Sequence, residues 1–176
     1  MPHPLILLRI APLLSSTAAV SMTLCEDVFL RPFGAPHPTL RKPANRLLLA
    51  HVNAFKPYAM AMTATFYFSA IGTAVVNIKF RDGGLGLSGT STAAPRNLSA
   101  VFYLAGVVFN ALHFAFAPRD LALLDIVADE DRVDADKGKD NCTAMASWVS
   151  LNVSRGLLAD FPGFVCTFAG FLLSLS

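Results

Sequence analysis

The chain has 176 residues, of which 54% are apolar and only 15% are charged. Soluble domains average about 25% charged residues, so this composition indicates an integral membrane protein. Fourteen Lys and Arg against twelve Asp and Glu leave a net charge of +2. That balance argues against a nucleic-acid-binding protein, which must neutralise a row of phosphates. Three cysteines without paired spacing argue against a disulfide scaffold and against the usual structural zinc site.

Four segments are apolar over the length of about 20 residues that a helix needs to cross a membrane. The fourth must extend back through Arg155, because its uninterrupted apolar part after Asp160 is too short to span. Pro162 is predicted to interrupt and bend that helix. The first segment could instead be a cleaved signal peptide, since small residues cluster at 15–19. We predict an all-α fold, a four-helix transmembrane bundle forming a single membrane domain over residues 1–176, with spans near 5–24, 58–78, 98–116 and 143–175.

The three predicted loops differ in basic residues. Loops 25–57 and 117–141 together hold nine, and loop 79–97 holds three. The positive-inside rule then places the first two loops in the cytosol and both termini on the other side. We expect the membrane to be that of the endoplasmic reticulum or another internal membrane, although the charges do not name the organelle. The Gly/Ser/Thr-rich stretch 83–92 is predicted to be a linker. The acidic stretch Asp129 to Asp140 is predicted to be a solvated, mobile loop that buries nothing.

Polar residues within the spans suggest a pocket. Ionisable groups inside spans are costly and usually face the bundle interior or a wet cavity. We therefore predict a pocket in the cytosolic half whose polar wall includes His113 and Arg155. Simpler roles stay open: Arg155 could snorkel to the headgroups, and His113 and Asn110 could hydrogen-bond between helices. Glu26 and Asp27 are interpreted as solvated carboxylates at a helix end rather than metal ligands.

One face of the fourth span carries small or polar residues at alternating steps of four and three. Such a face lets a neighbouring helix approach closely. We predict that Gly163 packs against another helix, whereas Phe168 faces lipid or fills space. The residues of this face are Gly156, Asp160, Gly163, Thr167, Gly170 and Ser174.

The segment from Trp148 to Arg155 resembles the W-x-x-L-x-x-x-R signature of the anthrone oxygenase-like proteins, a family of small four-span membrane proteins. The layout is also similar, with small residues in the first span and with His51 and Pro57 at the start of the second. In that family a histidine commonly occupies the position held here by Asn152.

The resemblance implies that an anthrone, an aromatic polyketide, is oxidised to an anthraquinone by O2 without a metal, flavin or other cofactor. The partners it implies are a hydrophobic aromatic small molecule, O2 and the lipid bilayer. A base would remove the activated proton, and a cation would stabilise the anion that forms. We expect His113 as the base, Arg155 as the anion stabiliser, and substrate contacts from Trp148, Asn110, Asn152, Tyr58 and Asp120.

Two other classes of function stay open. One is a membrane-bound cyclase or isomerase of a polyketide or terpenoid, which would use the same acid/base groups without consuming O2. The other is a non-enzymatic scaffold or lipid-binding protein that uses the small-residue face and the basic first loop. Oxygen uptake distinguishes an oxygenase from a cyclase or isomerase. An enclosed cavity distinguishes either enzyme from a scaffold or lipid-binding protein.

Overall fold

The computed structural model describes residues 3–79 and 93–175, and these stretches are almost entirely helical. They contain no strand, which confirms the predicted all-α fold class. The helices are α1 (His3–Gly34), α2 (Arg41–Lys79), α3 (Ala93–Val127), α4 (Asn141–Arg155) and α5 (Phe161–Ser174). Short 3₁₀ turns lie at Pro38–Leu40 and Glu130–Arg132, and a π-helical segment, Gly156–Asp160, joins α4 to α5.

Four helical stretches are long and apolar enough to cross a membrane, as predicted. The fourth extends back through Arg155, as expected from the shortness of its apolar end. Large apolar side chains such as Phe29 and Phe68 are exposed on these helices, which is typical of a lipid-facing surface. By length and composition these are the helices of an integral membrane protein. The stretches are Ile6–Gly34, Pro38–Lys79, Leu98–Val127 and Asn141–Ser174.

The helices are longer than the apolar windows of the sequence. The predicted loop 25–57 is helical except at residues 35–40, which hold only a short turn. The predicted loop 117–141 is helical as far as Val127. Both loop predictions are wrong over these parts, because hydropathy marks the apolar portion of a helix and not its ends. The predicted linker at 83–92 lies outside the described residues.

A π-helical turn replaces the regular helix immediately before Pro162. Proline lacks a backbone N–H and its ring crowds the carbonyl four residues back, so the regular hydrogen-bond ladder is interrupted there. A π turn, which bonds each carbonyl to the N–H five residues on, accommodates this interruption. Arg155 directly precedes this segment and Asp160 is its last residue, and both side chains are buried. The irregularity predicted at Pro162 therefore takes the form of a turn type that is frequent at functional sites.

The chain divides into two compact units, each assembled from separate parts of the sequence. That residues 1–176 form a single membrane domain stays a prediction. Unit 1 comprises Met1–Ser21, Ala64–His113 and Leu157–Ser176, and unit 2 comprises Met22–Thr63 and Phe114–Gly156.

In unit 1, small residues let α3 and α5 pack closely. A β-carbon at Gly163 would lie 3.3 Å from the side-chain amide of Asn110. A β-carbon at Gly106 would lie 2.8 Å from Cγ2 of Thr167, closer than side chains tolerate. Gly163, Thr167 and Gly170 are all buried, which confirms the predicted packing face at these positions.

Unit 2 has its own apolar core, which α1, α2, α3 and α4 all supply. Trp148 of α4 is one of the buried residues of this core. Outside the lipid, burial of such side chains stabilises a helical unit mainly through the hydrophobic effect. Within lipid, close van der Waals contact between the helices stabilises it instead. The buried members are Leu30, Leu48, Val52, Leu124, Val127, Cys142, Ala144, Met145, Trp148 and Val149.

A buried carboxylate anchors the start of α4 in unit 2. Asp140, 1% exposed, accepts a hydrogen bond from the Thr143 N–H at 3.3 Å and one from Arg41 Nε of α2 at 2.6 Å. Asn45 of α2 also donates to Asp140 and accepts from the Cys142 N–H. Burial alone would raise the pKa of Asp140, but the hydrogen bonds from Arg41, Thr143 and Asn45 outweigh it and hold the pKa below its ordinary value. The prediction that this acidic stretch buries nothing is therefore wrong at Asp140, and it is also wrong at Val133, which is 9% exposed.

Candidate functional site

A buried histidine–aspartate pair lies in unit 1. His113 of α3 and Asp160 of the π-helical segment are 5% and 1% exposed, and His113 Nδ1 lies 2.8 Å from Asp160 Oδ1. Tyr67 of α2 packs against the imidazole, with ring centroids 3.8 Å apart. When Asp160 is ionised, Nδ1 carries the proton that it donates, and the lone pair is then on Nε2. This is the tautomer that a histidine needs to act as a general base.

Asn110 lies one turn before His113 on α3 and is 1% exposed. Its Nδ2 donates to the Gly106 carbonyl at 2.7 Å and approaches Ser16 Oγ at 3.5 Å. The same amide is the surface against which Gly163 packs. These contacts describe a residue that joins helices within unit 1, and its contact with a substrate stays a prediction.

A buried ionic cluster lies in unit 2. Arg155 Nη1 donates to Asp120 Oδ2 of α3 at 2.6 Å, and Nη2 donates to Glu26 Oε2 of α1 at 3.2 Å. The three side chains are each less than one-tenth exposed, at 7%, 9% and 9%. Nη2 also donates to Asn152 Oδ1, and Asn152 Nδ2 donates to the Thr23 carbonyl at 3.1 Å. Three helices thus converge on one guanidinium, and we name Arg155, Asp120, Glu26 and Asn152 the arginine cluster.

The arginine cluster corrects two expectations. Arg155 does not snorkel, because its guanidinium is bound inside the unit by two carboxylates. Glu26 is not a solvated carboxylate at a helix end, since α1 continues past it to Gly34 and its side chain is buried against Arg155. A buried cation needs a nearby counter-charge, and two carboxylates here compensate the charge of Arg155. Within the described residues, no three His, Cys, Asp or Glu side chains are grouped so as to hold a metal ion.

Asp120 Oδ1 and Trp148 Nε1 are buried without a hydrogen-bond partner among the residues that the structure describes. Trp148 is 3% exposed and lies on α4, two turns before Arg155. Leaving such an atom unsatisfied costs about 1–3 kcal/mol, so a water or a ligand is the usual partner. Asn141 Oδ1, also in unit 2, is buried without a partner among these residues as well.

The structure does not bring all of the predicted site residues together. Tyr58 of α2 is 73% exposed, so the structure does not bring it into the arginine cluster, and its contact with a substrate stays a prediction. His113 belongs to unit 1 and Arg155 to unit 2. The pocket predicted to join them stays a prediction.

Three partners in these clusters are absent from the predicted site residues: Asp160, Glu26 and Tyr67. A signal for the two acids was present, because an ionisable residue in a membrane span rarely lies buried without a partner of complementary charge. Asp160 was the acidic residue within a predicted span, and Glu26 lay beside the first span together with Asp27. No such signal marks Tyr67, since an aromatic residue in an apolar span is ordinary.

Comparison with known proteins gives one informative similarity. The chain is 27% identical over 171 residues, 96% of each chain, to a protein named a probable epoxidase, scpX, from Mollisia scopiformis. No protein-family model matches the chain. No solved structure matches it significantly. The likeness therefore extends from end to end, while membership of the anthrone oxygenase-like family stays a prediction.

Proposed function

We propose that this protein is a membrane-embedded tailoring enzyme of secondary metabolism that oxygenates an aromatic substrate with O2. The observation that carries the proposal is the buried His113–Asp160 pair, an arrangement that suits a general base and its orienting carboxylate. The similarity to a protein named a probable epoxidase supports oxygenation as the reaction class. The substrate we propose is an aromatic polyketide such as an anthrone, from the resemblance of the Trp148–Arg155 segment.

The reaction begins with removal of the acidic C–H proton of the anthrone by His113 Nε2. The resulting anion transfers one electron to O2, and the two radicals combine to form a carbon–oxygen bond. Protonation of the peroxide oxygen gives a hydroperoxide. Loss of the second C–H proton with cleavage of the O–O bond then releases water and leaves a ketone. One oxygen atom enters the anthraquinone and one enters water, and the substrate supplies every electron, so the proposal requires neither a metal nor a flavin.

The name of the similar protein favours a second candidate reaction, epoxidation. A hydroquinone loses a proton to the same base, and its anion reduces O2 and binds the peroxide at a ring carbon. Closure of the epoxide breaks the O–O bond and releases water, so that a hydroquinone and O2 give a quinone epoxide and water. Both candidates start with the same proton transfer, which a positioned base accelerates by about 10²–10⁴-fold.

In this proposal Asp160 is a positioning residue, because it holds the His113 tautomer and does not itself contact the substrate. Direct stabilisation of the anion by Arg155 stays a prediction. Asp120 and Glu26 limit the kind of interaction that Arg155 can offer the anion. Because these two carboxylates compensate the charge of Arg155, Arg155 offers an anion N–H donors in a fixed geometry.

We also propose that the protein lies in an internal membrane such as that of the endoplasmic reticulum, with residues 25–57 and 117–141 on the cytosolic side.

Oxygen uptake by the detergent-solubilised full chain tests the proposal. An anthrone and a hydroquinone are each supplied, and the spontaneous rate is subtracted with heat-inactivated protein. We expect oxygen uptake that His113→Gln lowers about a hundredfold or more. His51→Gln is the matched control, since His51 is an exposed histidine of α2 that stacks on Phe55, and it should leave the rate unchanged.

The products separate the remaining alternatives. With ¹⁸O2, either oxygenation places one heavy oxygen in the product, as a ketone or as an epoxide. A product isomeric with its substrate and no oxygen uptake would instead identify a cyclase or isomerase. If the protein changes none of these compounds and His113→Gln has no effect on any reaction, the proposal fails and a scaffold or lipid-binding role takes its place.

A further inference from the structure

One oxygen of the Asp120 carboxylate is held and the other is not. Oδ2 accepts a hydrogen bond from Arg155 Nη1 at 2.6 Å. Oδ1 has no hydrogen-bond partner among the described residues. It is also buried, since the side chain is only 9% exposed. Glu26 and Asn152 hold the same guanidinium in place, so the direction of Oδ1 is fixed. Asp120 therefore presents a rigid, buried acceptor that requires a donor.

A buried donor of the opposite character lies on α4. Trp148 Nε1 can only donate, and it has no acceptor in the part of the chain that the structure describes. Trp148 shares a helix face with Asn152 and Arg155, four and seven residues further on. It also lies in the apolar core of unit 2, which suits contact with an aromatic ring.

We infer that unit 2 recognises a phenolic aromatic ketone, whose hydroxyl group donates to Asp120 Oδ1 and whose carbonyl oxygen accepts from Trp148 Nε1. The aromatic nature of this ligand rests on the proposed function, whereas the need for one donor and one acceptor comes from the two buried atoms. Besides its predicted role toward the anion, Arg155 then positions the carboxylate that contacts the ligand.

A methyl ether is the informative competitor of such a phenol. Its oxygen has no hydrogen to donate, so Asp120 Oδ1 would stay buried and unpaired in its complex. Hydrogen bonds to a charged group contribute enough that this loss corresponds to about ten- to a hundredfold in affinity. The phenol and its ether otherwise have nearly the same size and apolar surface.

Trp148 is the only tryptophan of the chain, so its fluorescence reports binding from within unit 2. The full-length protein in detergent micelles is titrated under nitrogen, to prevent turnover, with a phenolic anthrone and with its O-methyl ether. We expect wild-type protein to bind the phenol about ten- to a hundredfold more tightly. Asp120→Asn should reduce that ratio to about threefold or less, because the amide also presents a donor. Asp125→Asn should retain it, since Asp125 is an exposed aspartate of the same helix that pairs with Lys56.

Equal affinity of the wild-type protein for phenol and ether overturns the inference, and this result needs no variant to fold. Absence of quenching by both compounds, or an unchanged ratio in Asp120→Asn, overturns it as well. The outcome is distinguishable from failure of the proposed function, since binding is measured without O2. Oxygen uptake without the phenol preference removes this inference alone, and the preference without oxygen uptake removes the proposed function alone.

Discussion

Replacing Gly163 by leucine places a large side chain where α5 meets α3 in unit 1. A β-carbon at this position would lie 3.3 Å from Cγ, Nδ2 and Oδ1 of Asn110, which is tighter than ordinary contact. Asn110 has little freedom to move away, because it is 1% exposed and its Nδ2 donates to the Gly106 carbonyl at 2.7 Å. The three further carbons of leucine have to displace either the amide or the helix.

The expected cost of Gly163→Leu combines two effects. Overpacking a close contact costs about 1–3 kcal/mol, and disturbing the hydrogen bond of Asn110 adds about 1 kcal/mol, so we expect roughly 2–4 kcal/mol. Gly163→Ala should stay within about 1 kcal/mol of wild type, because alanine gains about that much helix propensity against a small strain. Phe168→Leu is the matched control on the same helix, where the side chain is 43% exposed, and it should cost less than about 1 kcal/mol.

Thermal unfolding of the detergent-solubilised chain measures this difference. At about 2–4 °C per kcal/mol for a chain of this size, Gly163→Leu should lower the midpoint by roughly 4–16 °C. Gly163→Ala and Phe168→Leu should both melt close to wild type. If Gly163→Leu melts at the same temperature as Phe168→Leu, the close packing of this face does not contribute to stability and the reasoning is refuted.

Three further outcomes are expected. The pKa of Asp140 lies below its ordinary value near 4, so ionised Asp140 stabilises the fold above about pH 4, and this stabilisation is lost as the pH falls further. Asp140→Ala should lower the melting midpoint at pH 7 and flatten this acid dependence in thermal melts from pH 7 to pH 3. Arg155→Ala should lower oxygen uptake about a hundredfold, whereas Arg132→Ala, whose side chain is 39% exposed, should leave it unchanged. Single cysteines placed in residues 35–40 and 133–139 should react with a membrane-impermeant reagent only after the cytosolic face is opened, and labelling of the two segments from opposite sides would refute the predicted topology.

Local properties of the sequence were enough to predict the helices and one packing face. Span number follows from apolar length, and the face through Gly163 and Thr167 follows from the helical repeat, both of which depend only on residues close together in the chain. The same reasoning failed at helix ends, because apolar content does not mark where a helix stops. It also failed at Asp140, whose partner Arg41 lies 99 residues away in the sequence.

The sequence by itself therefore determined an all-α membrane protein and the polar residues that its interior has to accommodate. Only the tertiary structure decided which of them meet: Asp160 with His113 across 47 residues, and Asp120 and Glu26 with Arg155 across 35 and 129 residues. A buried charge demands a partner, but many acids in a sequence satisfy that demand equally well. The choice among them depends on how the helices pack, which is a property of contacts between distant parts of the chain.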